Sequence, residues 1–335
     1  MHRRRFFQVF AALAVTVCLL MVSTLLSAQG NSDNAFERVK EVQERHSAKL
    51  MAQQGVVGTA VGFNERGRHA ILVLLENAGI GGVPQELDGV PVHPVVTGKI
   101  EALKPGGKTP GKGVDPTARF ERPVPIGIST GNAGECSAGT IGCRLVGGYA
   151  LSNNHVYALE GKAADGSTVV QPGLYDTRCS YNSANNLGTL CKTVDITFTD
   201  TASNEVDAAV ANVGTNVAQG TPSDGYGIPK SEPASATLGM RVQKYGRTSR
   251  LTSGQVRGLN ATIFVQYDSG VARFVNQIMI GPGGFSRAGD SGSLVVTQDN
   301  HNPVGLLFAG GSGATFANPI DAVLSAVGNM TIDGQ

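Results

Sequence analysis

Short apolar runs separated by turn residues recur along much of the chain, and this pattern predicts a mainly β protein. Runs such as Thr140–Val146, Ala208–Val213 and Val304–Phe308 alternate with clusters of Gly, Asn, Ser and Pro. Similar runs predict about twelve strands between residue 123 and the C-terminus. Asp321–Val327, which follows Pro319, is typical of a short helix.

The pattern differs between residues 34 and 103, where Phe36–Arg45 has apolar positions at helical spacing among charged ones. We expect an amphipathic helix whose buried side comprises Phe36, Val39, Val42, Ala48, Leu50 and Met51. Val56–Phe63 and His69–Leu75 are predicted to form a hairpin across the loop that contains Gly67. A helical turn at Pro84–Leu87 and a third strand at Val90–Val96 are predicted to follow. This order predicts a small α/β N-terminal domain.

Two further segments complete the predicted organisation. Residues 1–28 combine Arg3-Arg4-Arg5, an apolar span from Phe6 to Leu26 and a cleavage-like Ser27-Ala28, which is typical of an export signal. The span is also long enough to be an uncleaved membrane anchor. Residues 104–122 begin as a Pro/Gly/Lys linker, typical of an exposed segment. We therefore predict four parts: 1–28, 34–103, 104–122 and 123–335.

Composition and cysteines narrow the class of protein. With 41% hydrophobic residues, the 335-residue chain can build two cores, and its net charge of +1 gives no support to a nucleic-acid partner. Apart from Cys18 in the leader, the cysteines are Cys136, Cys143, Cys179 and Cys191. An even number in an exported chain predicts disulfides, and proximity favours Cys136 with Cys143 and Cys179 with Cys191, one of three pairings. Their spacing argues against zinc, and we expect no metal and no cofactor.

The stretch from Ser286 to Ser293 carries the candidate chemistry, because Gly289-Asp290-Ser291-Gly292 leads directly into an apolar strand. Ser291 is the candidate nucleophile. Gly289 can adopt backbone angles closed to other residues, so its N–H and that of Ser291 can form an oxyanion hole. Gly292 would leave room for a substrate.

A serine nucleophile needs a base and an acid that orients the base. His155 is the candidate base, because an apolar strand ends there in polar residues. The other histidines lie in the leader, in the N-terminal region or in a polar turn: His2, His46, His69, His93 and His301. Asp207, which enters a small apolar run, is the candidate acid, and Asp195 in Val194-Asp195-Ile196 is its competitor.

The order His155, Asp207, Ser291 and the context of each residue resemble the chymotrypsin (trypsin-like) superfamily of serine peptidases. The family's histidine motif usually contains alanines, whereas this chain has Ser152-Asn153-Asn154-His155. An α/β-hydrolase would have Gly-x-Ser-x-Gly with its histidine last, and a subtilisin-like site would start a helix at the serine. The resemblance covers roughly residue 123 to the C-terminus and implies two six-stranded antiparallel β-barrels, with the three residues in the cleft between them.

The resemblance implies an exported serine endopeptidase that acts on polypeptides through an acyl-enzyme. By the same resemblance, Phe285 would form the base of the primary pocket, and Phe308, Ala309 and Gly310 its walls. Because no acidic residue lies at the base to favour Lys or Arg, we expect the pocket to bind a neutral or small apolar side chain of the substrate. Two alternatives are a catalytically inert binding module with this fold and an esterase with the same triad. We expect a secreted or periplasmic protein, with membrane contact only if the leader is uncleaved, and the oligomeric state stays open.

Two questions remain open at this stage. In the family, the residue before the nucleophile, here Asp290, pairs with a buried cation. Available cations are Arg144, Arg247, Arg250, Arg287 and a new N-terminus created by a cut before Ile126. The small N-terminal domain resembles the pro-regions of some secreted bacterial serine peptidases in its order of elements. It could be a folding pro-region, an inhibitory plug or a partner-binding module.

Overall fold

The structure is a computed structural model that describes residues 34–103 and 113–335. The predicted leader and residues 104–112 of the predicted linker lie outside the described residues. The described part is mainly β, as the sequence pattern predicts, with strands β1 to β18 and only short helices after the first. Within these two ranges, no helix is long and apolar enough to cross a membrane.

The N-terminal region consists of helix α1 (residues 34–51) against a small sheet. Strands β1 (Val56–Phe63) and β2 (His69–Leu75) form the predicted hairpin, and β4 (Val90–Val96) lies parallel to β2. The predicted helical turn is wrong, because Glu86–Leu87 forms β3, which pairs with the start of β4. Asp88 and Gly89 between them both have positive φ, as a two-residue hairpin turn requires.

Helix α1 buries Val39, Val42, Leu50 and Met51 against Val61, Ile71 and Val73 of the sheet. Ala48 was predicted to be buried but is exposed. Gln43 and Ser47 are buried instead, because their side chains hydrogen-bond the hydroxyl of Thr59 on β1 at 2.8 and 2.7 Å. The two polar side chains on the buried face of α1 are therefore satisfied by hydrogen bonds within the protein rather than by water.

A seven-stranded antiparallel sheet forms the first half of the β-rich part, in the order β7-β6-β10-β11-β12-β9-β8. Its strands are β6 (Ser129–Asn132), β7 (Gly139–Thr140), β8 (Cys143–Leu145), β9 (Tyr149–Ser152), β10 (Thr168–Val170), β11 (Asn186–Thr193) and β12 (Ala209–Asn212). Helix α2 (Asn154–Tyr157) follows β9 directly. The core of this sheet is aliphatic and fully buried, with Ile126, Ile128, Ala150, Val169 and Ala211 among its members.

The second sheet has eleven strands, and the N-terminal strands continue it in the order β13-β16-β17-β18-β15-β14-β1-β2-β4-β3. Its C-terminal members are β13 (Arg241–Gly246), β14 (Arg250–Tyr267), β15 (Gly270–Gly281), β16 (Leu294–Thr297), β17 (Pro303–Gly310) and β18 (Thr315–Pro319). Helix α3 (Ile320–Ala326) then packs against β17 and β18. The short strand β5 (Glu101–Ala102) lies off this path and pairs with both β14 and β17.

The two sheets correspond to the two predicted barrels: the seven-stranded sheet is called the first barrel below, and the C-terminal strands of the eleven-stranded sheet are called the second barrel. Strand β14 is a single long strand whose register shifts near Asn260, a residue with positive φ. Strand β1 pairs with β14, and Ala60, Leu72 and Leu74 share a buried core with strands of the second barrel. The proposed division into domains stays a prediction.

The predicted cysteine pairing is wrong. Cys136 is joined to Cys179, whereas Cys143 is a buried free thiol and Cys191 an exposed one. Cys143 on β8 faces the core, while β9 and β12 separate it from Cys191 on β11. Sequence proximity misleads here because the fold brings Cys179 back to the loop that contains Cys136.

Candidate active site

His155 lies in the first turn after β9, where the chain leaves the sheet. Strand β12 runs antiparallel to β9 with Ala209 opposite Ser152, so Asp207, two residues before Ala209, lies across from this turn. The side-chain amide of Asn153 donates to the carbonyl oxygen of Asp207 at 2.7 Å and fixes the two segments together. His155 is only 3% exposed.

The structure brings His155 and Asp207 into direct contact. Nδ1 of His155 lies 2.6 Å from Oδ2 of Asp207, and the backbone N–H of His155 donates to Oδ1 at 3.3 Å. An ionised carboxylate only accepts hydrogen bonds, so Nδ1 carries the proton and Nε2 is the free acceptor. Asp195, the competing acid, is exposed and lies in the segment after β11.

Tyr267 is a third member of this group that sequence reasoning missed. Its hydroxyl donates to Oδ2 of Asp207 at 2.8 Å, and its ring lies edge-on to His155 with 5.9 Å between centroids. Burial, and then the charge of Asp207, raises the pKa of Tyr267 well above its ordinary value, so the hydroxyl stays a donor. A tyrosine that ends a predicted strand gives no sequence signal of this contact.

The hairpin β14–β15 carries Tyr267 across to the first barrel. At its tip, the N–H and the hydroxyl of Ser269 donate to the buried carboxylate of Glu160 at 2.8 and 2.5 Å. Glu160 follows α2 closely in the chain, so the same segment that presents His155 also anchors the hairpin.

Ser291 lies in the loop before β16, on the second barrel, and is fully buried. Thr140 on β7 holds this loop: its N–H donates to the carbonyl oxygen of Ser291 at 2.8 Å, and its hydroxyl to that of Gly289 at 3.0 Å. Gly292 has φ of +91°, and a Cβ there would lie 2.3 Å from the carbonyl oxygen of Thr140. Glycine is thus required at this position for the close contact between the two barrels.

The N–H of Gly289 points at a carbonyl oxygen from the N-terminal region. With φ of +96°, Gly289 donates this N–H to the carbonyl oxygen of Leu103 at 2.7 Å. The hydroxyl of Ser291 lies 3.3 Å from the same oxygen and 3.2 Å from that of Phe308. The candidate nucleophile and a candidate oxyanion donor therefore converge on one peptide carbonyl.

The structure does not join His155 to Ser291 by a hydrogen bond. Nε2 of His155 is buried and has no partner among the described residues, while the Ser291 hydroxyl is directed at the two carbonyl oxygens. In this state, the two barrels hold the base and the nucleophile as separate groups.

Asp290 pairs with Lys244, a cation that sequence reasoning did not single out. Both side chains are fully buried, with Nζ of Lys244 3.4 Å from Oδ2 of Asp290. Burial lowers the pKa of Lys244, and the charge of Asp290 acts in the opposite direction. Lys244 lies on β13 without a charged neighbour in sequence, so the pattern predicts only an exposed strand lysine.

Hydrogen bonds satisfy the rest of the Asp290 carboxylate. The N–H groups of Thr248, Ser249 and Arg287 donate to it at 2.8, 3.0 and 2.9 Å. Of the arginines suggested for this role, Arg144 pairs with Asp333, and Arg247 pairs with Asp176. Lys244 balances the charge of Asp290, so no new N-terminus at Ile126 is needed for this role. The N–H of Ile126 instead donates to the carbonyl oxygen of Gly220.

The four predicted pocket residues fall into two groups. Phe285 belongs to a buried cluster against which Leu103 packs, and a Cβ on Gly310 would lie 3.4 Å from a methyl group of Leu103. Phe308 and Ala309 instead point into the core that the N-terminal region shares with the second barrel. Phe308 contributes its carbonyl oxygen rather than its ring to the site.

Other titratable groups lie elsewhere. His69 is half-buried against Phe36 and Phe63, and burial lowers its pKa. His46 pairs with Asp88 on the surface at 3.0 Å. In the part of the chain that the structure describes, no group of three or more His, Cys, Asp or Glu side chains could hold a metal ion.

No protein-family model matches the chain, and no curated protein matches it either. Among solved structures, the chymotrypsin of Cellulomonas bogoriensis is 19% identical with a TM-score of 0.43, over 63% of this chain and 99% of that one. Protease A of Thermobifida fusca is 16% identical with a TM-score of 0.44, over 63% and 99%. The Nocardiopsis protease is 16% identical with a TM-score of 0.43, over 62% and 98%. Over that part of its length, the chain is similar in structure to bacterial chymotrypsin-like serine proteases.

Proposed function

We propose that this protein is an exported serine endopeptidase that uses Ser291 as nucleophile, His155 as base and Asp207 as the acid that orients the base. One observation carries the proposal: the carbonyl oxygen of Leu103 lies 2.7 Å from the N–H of Gly289 and 3.3 Å from the hydroxyl of Ser291. Acyl transfer needs a backbone donor at the oxygen of a peptide carbonyl and a serine hydroxyl beside the same peptide group, and both groups are present at Leu103.

His155 acts as the base through Nε2. Because Asp207 accepts from Nδ1 at 2.6 Å, the neutral imidazole keeps its lone pair on Nε2, and this atom has no other partner among the described residues. During attack, the Ser291 hydroxyl turns from the carbonyl oxygens to Nε2 and gives up its proton. Asp207 then stabilises the imidazolium, and Tyr267 keeps the carboxylate in position.

Backbone pairing favours peptides over simple esters as substrates. Strand β5, which leads into Leu103, pairs antiparallel with β17, with Ala102 opposite Ala309 and Glu101 opposite Gly310. A substrate that extends the sheet in this way needs peptide N–H and C=O groups in the residues that precede the scissile bond. An esterase site would need only the pocket and the oxyanion donors.

Export is part of the proposal. The apolar leader has the pattern of a secretion signal, and the Cys136–Cys179 disulfide is stable in an oxidising compartment. We therefore propose a secreted or periplasmic location.

Labelling with a fluorophosphonate probe, followed by mass-spectrometric mapping, tests the proposed nucleophile. The full chain and its Leu103→Asp variant are both treated, because Leu103 covers Ser291. We expect modification at Ser291 in at least the variant and loss of this modification when His155→Ala is added. We also expect the protein that can be labelled to hydrolyse casein before it is treated, and to lose this activity once Ser291 is modified. Absence of the modification from both proteins would contradict the proposal and favour an inert binding module.

A further inference from the structure

Residues 101–103 lie in the candidate active site as an extended peptide held on both edges. Strand β5 runs antiparallel to β17 on one side and parallel to β14 on the other, with Glu101 opposite Gln266. The N–H of Gln266 donates to the carbonyl oxygen of Ile100 at 2.9 Å, and the N–H of Leu103 donates to that of Phe308 at 3.4 Å. Backbone hydrogen bonds therefore hold this segment as far as Leu103, the residue whose carbonyl oxygen faces Ser291.

The side chain of Leu103 marks the primary pocket. It is half-buried, contacts the position of Gly310 and packs against the cluster that contains Phe285. A glycine on one wall and an apolar base leave space for a branched aliphatic chain and offer no partner for a charge. The surroundings of Leu103 therefore match an uncharged aliphatic side chain.

The two preceding residues show what the neighbouring positions accept. Ala102 is 8% exposed and packs in a core with Phe308 and Phe274, so only a small side chain fits there. Glu101 is exposed and free to vary. Read from the carbonyl of Leu103 backwards, the groove takes a leucine-like residue, then a small apolar residue, then a polar one.

We propose that Glu101–Leu103 is this enzyme's first substrate: Ser291 cleaves the peptide bond after Leu103, and the primary pocket selects leucine-sized aliphatic side chains in other polypeptides. This inference rests on the proposed function of Ser291. It assigns residues 34–103 a role as a pro-region whose last residue occupies the pocket until that region leaves.

The reaction needs no component other than water. Oγ of Ser291 adds to the carbonyl carbon of Leu103 while Nε2 of His155 takes the hydroxyl proton, and the oxygen of Leu103 becomes negative beside the N–H of Gly289. The C–N bond after Leu103 then breaks, and the amine of the following residue leaves with the proton from His155. Water next adds to the acyl carbon and gives a proton to His155; Ser291 recovers this proton as the Leu103 carboxylate forms.

Cleavage alone would not empty the groove. Strand β1 still pairs with β14, and Leu72, Leu74 and Ile100 still share a core with Phe274 and Phe316. The cut N-terminal region therefore stays bound with its new carboxyl end at Ser291. Full activity requires its later removal by dilution or by further proteolysis.

The first experiment compares the full chain with its Ser291→Ala and Leu103→Asp variants under denaturing conditions, by intact mass and N-terminal sequencing. Val146→Asp is the matched control, because Val146 is 56% exposed at the opposite end of β9 from His155. We expect the wild type and the control to give a chain that begins at Lys104-Pro105-Gly106, and both site variants to lack this cut. A cut after Leu103 that persists in Ser291→Ala would overturn the proposal.

The second experiment measures the pocket with acetyl-Glu-Ala-X-p-nitroanilides, where X is Leu, Ala, Arg or Glu. Wild type and Leu103→Asp are assayed, since aspartate should no longer hold the pocket. We expect kcat/KM for Leu to exceed that for Arg and Glu by at least about tenfold, and Gly310→Val to reduce the ratio of Leu to Ala by about tenfold. A preference for Arg or Glu would overturn the proposed selectivity.

Together, the results separate this inference from the proposed function. An uncut wild type whose Ser291 is labelled by the fluorophosphonate in Leu103→Asp would leave a serine hydrolase whose N-terminal region is an uncleaved inhibitor, so self-cleavage would be wrong. Failure of both labelling and hydrolysis would contradict the proposed function itself. Comparison of rates in wild type and Leu103→Asp also tests occupancy, because equal rates would mean that Leu103 does not block the pocket.

Discussion

The candidate active site contains two buried aspartates, and their surroundings differ. Asp290 accepts hydrogen bonds from three backbone N–H groups and from the hydroxyl of Ser249, and it pairs with the ammonium group of Lys244. Asp207 contacts His155 and Tyr267, and its negative charge faces an imidazole that can gain a proton at Nε2. Both carboxylates have no exposed surface.

This difference separates a structural role from a proposed catalytic one. The charge around Asp290 is balanced in the ground state, so the group holds the loop of Gly289 and Ser291 in one conformation and has nothing further to stabilise. The charge of Asp207 is balanced fully only when His155 becomes an imidazolium, which is the state that follows proton transfer from Ser291. The same residue type therefore acts differently because one partner is the ammonium group of a lysine and the other is an imidazole ring that gains its charge during the proposed reaction.

Replacement of Asp207 should have the largest effect on turnover. In Asp207→Asn, the amide holds His155 in the wrong tautomer, and we expect kcat on casein or a Leu anilide to fall by about ten-thousandfold with little loss of folded protein. Asp195→Ala is the matched control, because Asp195 is exposed and should leave activity unchanged. A silent Asp207→Asn combined with a damaging Asp195→Ala would mean that the acid is wrongly assigned.

Replacement of Lys244 should act mainly on stability. Lys244→Met leaves the Asp290 carboxylate buried without its cation, and we expect the free energy of unfolding in urea to fall by about 3–5 kcal/mol. The double variant Lys244→Met, Asp290→Asn should lose less than the sum of the single variants, because it removes both charges together.

Lys49→Met, on the exposed side of α1, is the control for the loss of a lysine and should change stability by less than about 0.5 kcal/mol. Additive losses in the double variant would show that Lys244 and Asp290 do not stabilise each other.

The smallest effect is expected from Tyr267, whose hydroxyl bonds the acid and not the reacting groups. Tyr267→Phe removes a hydrogen bond to a charged group, so kcat/KM should fall by about tenfold while KM changes little. Tyr181→Phe is the control, because the Tyr181 hydroxyl is exposed and bonds the neutral Asn186 amide. Equal losses in the two variants would remove Tyr267 from the site.

The pH dependence of the free energy of unfolding, compared between wild type and Tyr267→Phe, tests the raised pKa of Tyr267. Burial holds the pKa of Tyr267 above the value of about 10 that it has in the unfolded chain. Its contribution to stability is therefore complete below pH 10 and is lost as the pH rises further, at up to about 1.4 kcal/mol per pH unit. Between pH 9 and pH 11, the free energy of unfolding should fall more steeply in wild type than in Tyr267→Phe. Parallel curves would contradict the raised pKa of Tyr267.

Local patterns predicted what depends on a few neighbouring residues. The glycines around Ser291 indicate a tight turn before a strand, the end of an apolar run indicates His155, and the strands themselves follow from short apolar runs. The register that sets Asp207 rather than Asp195 beside His155 needs the pairing of β9 with β12, which lie more than fifty positions apart in the sequence. The local sequence pattern identifies both Asp195 and Asp207 as candidates for the acid and does not choose between them.

Errors arose wherever a distant partner decided the outcome. Cys136 pairs with Cys179 because the chain returns to it, and Ala48 is exposed because hydrogen bonds to Thr59 turn Gln43 and Ser47 inward. Asp290 is balanced by Lys244 because β13 and β16 are adjacent strands of the second barrel. None of these partners is marked by spacing or motif.

The sequence by itself determined the mainly β class, the helix and hairpin near the N-terminus and a short set of chemistry-bearing residues, since propensities and turns act over a few positions. Only the tertiary structure decided that Tyr267 reaches Asp207, that Lys244 neutralises Asp290 and that Leu103 covers Ser291. These contacts join separate strands, and their energies come from burial and hydrogen bonding that exist only when both sheets and the N-terminal region have packed together.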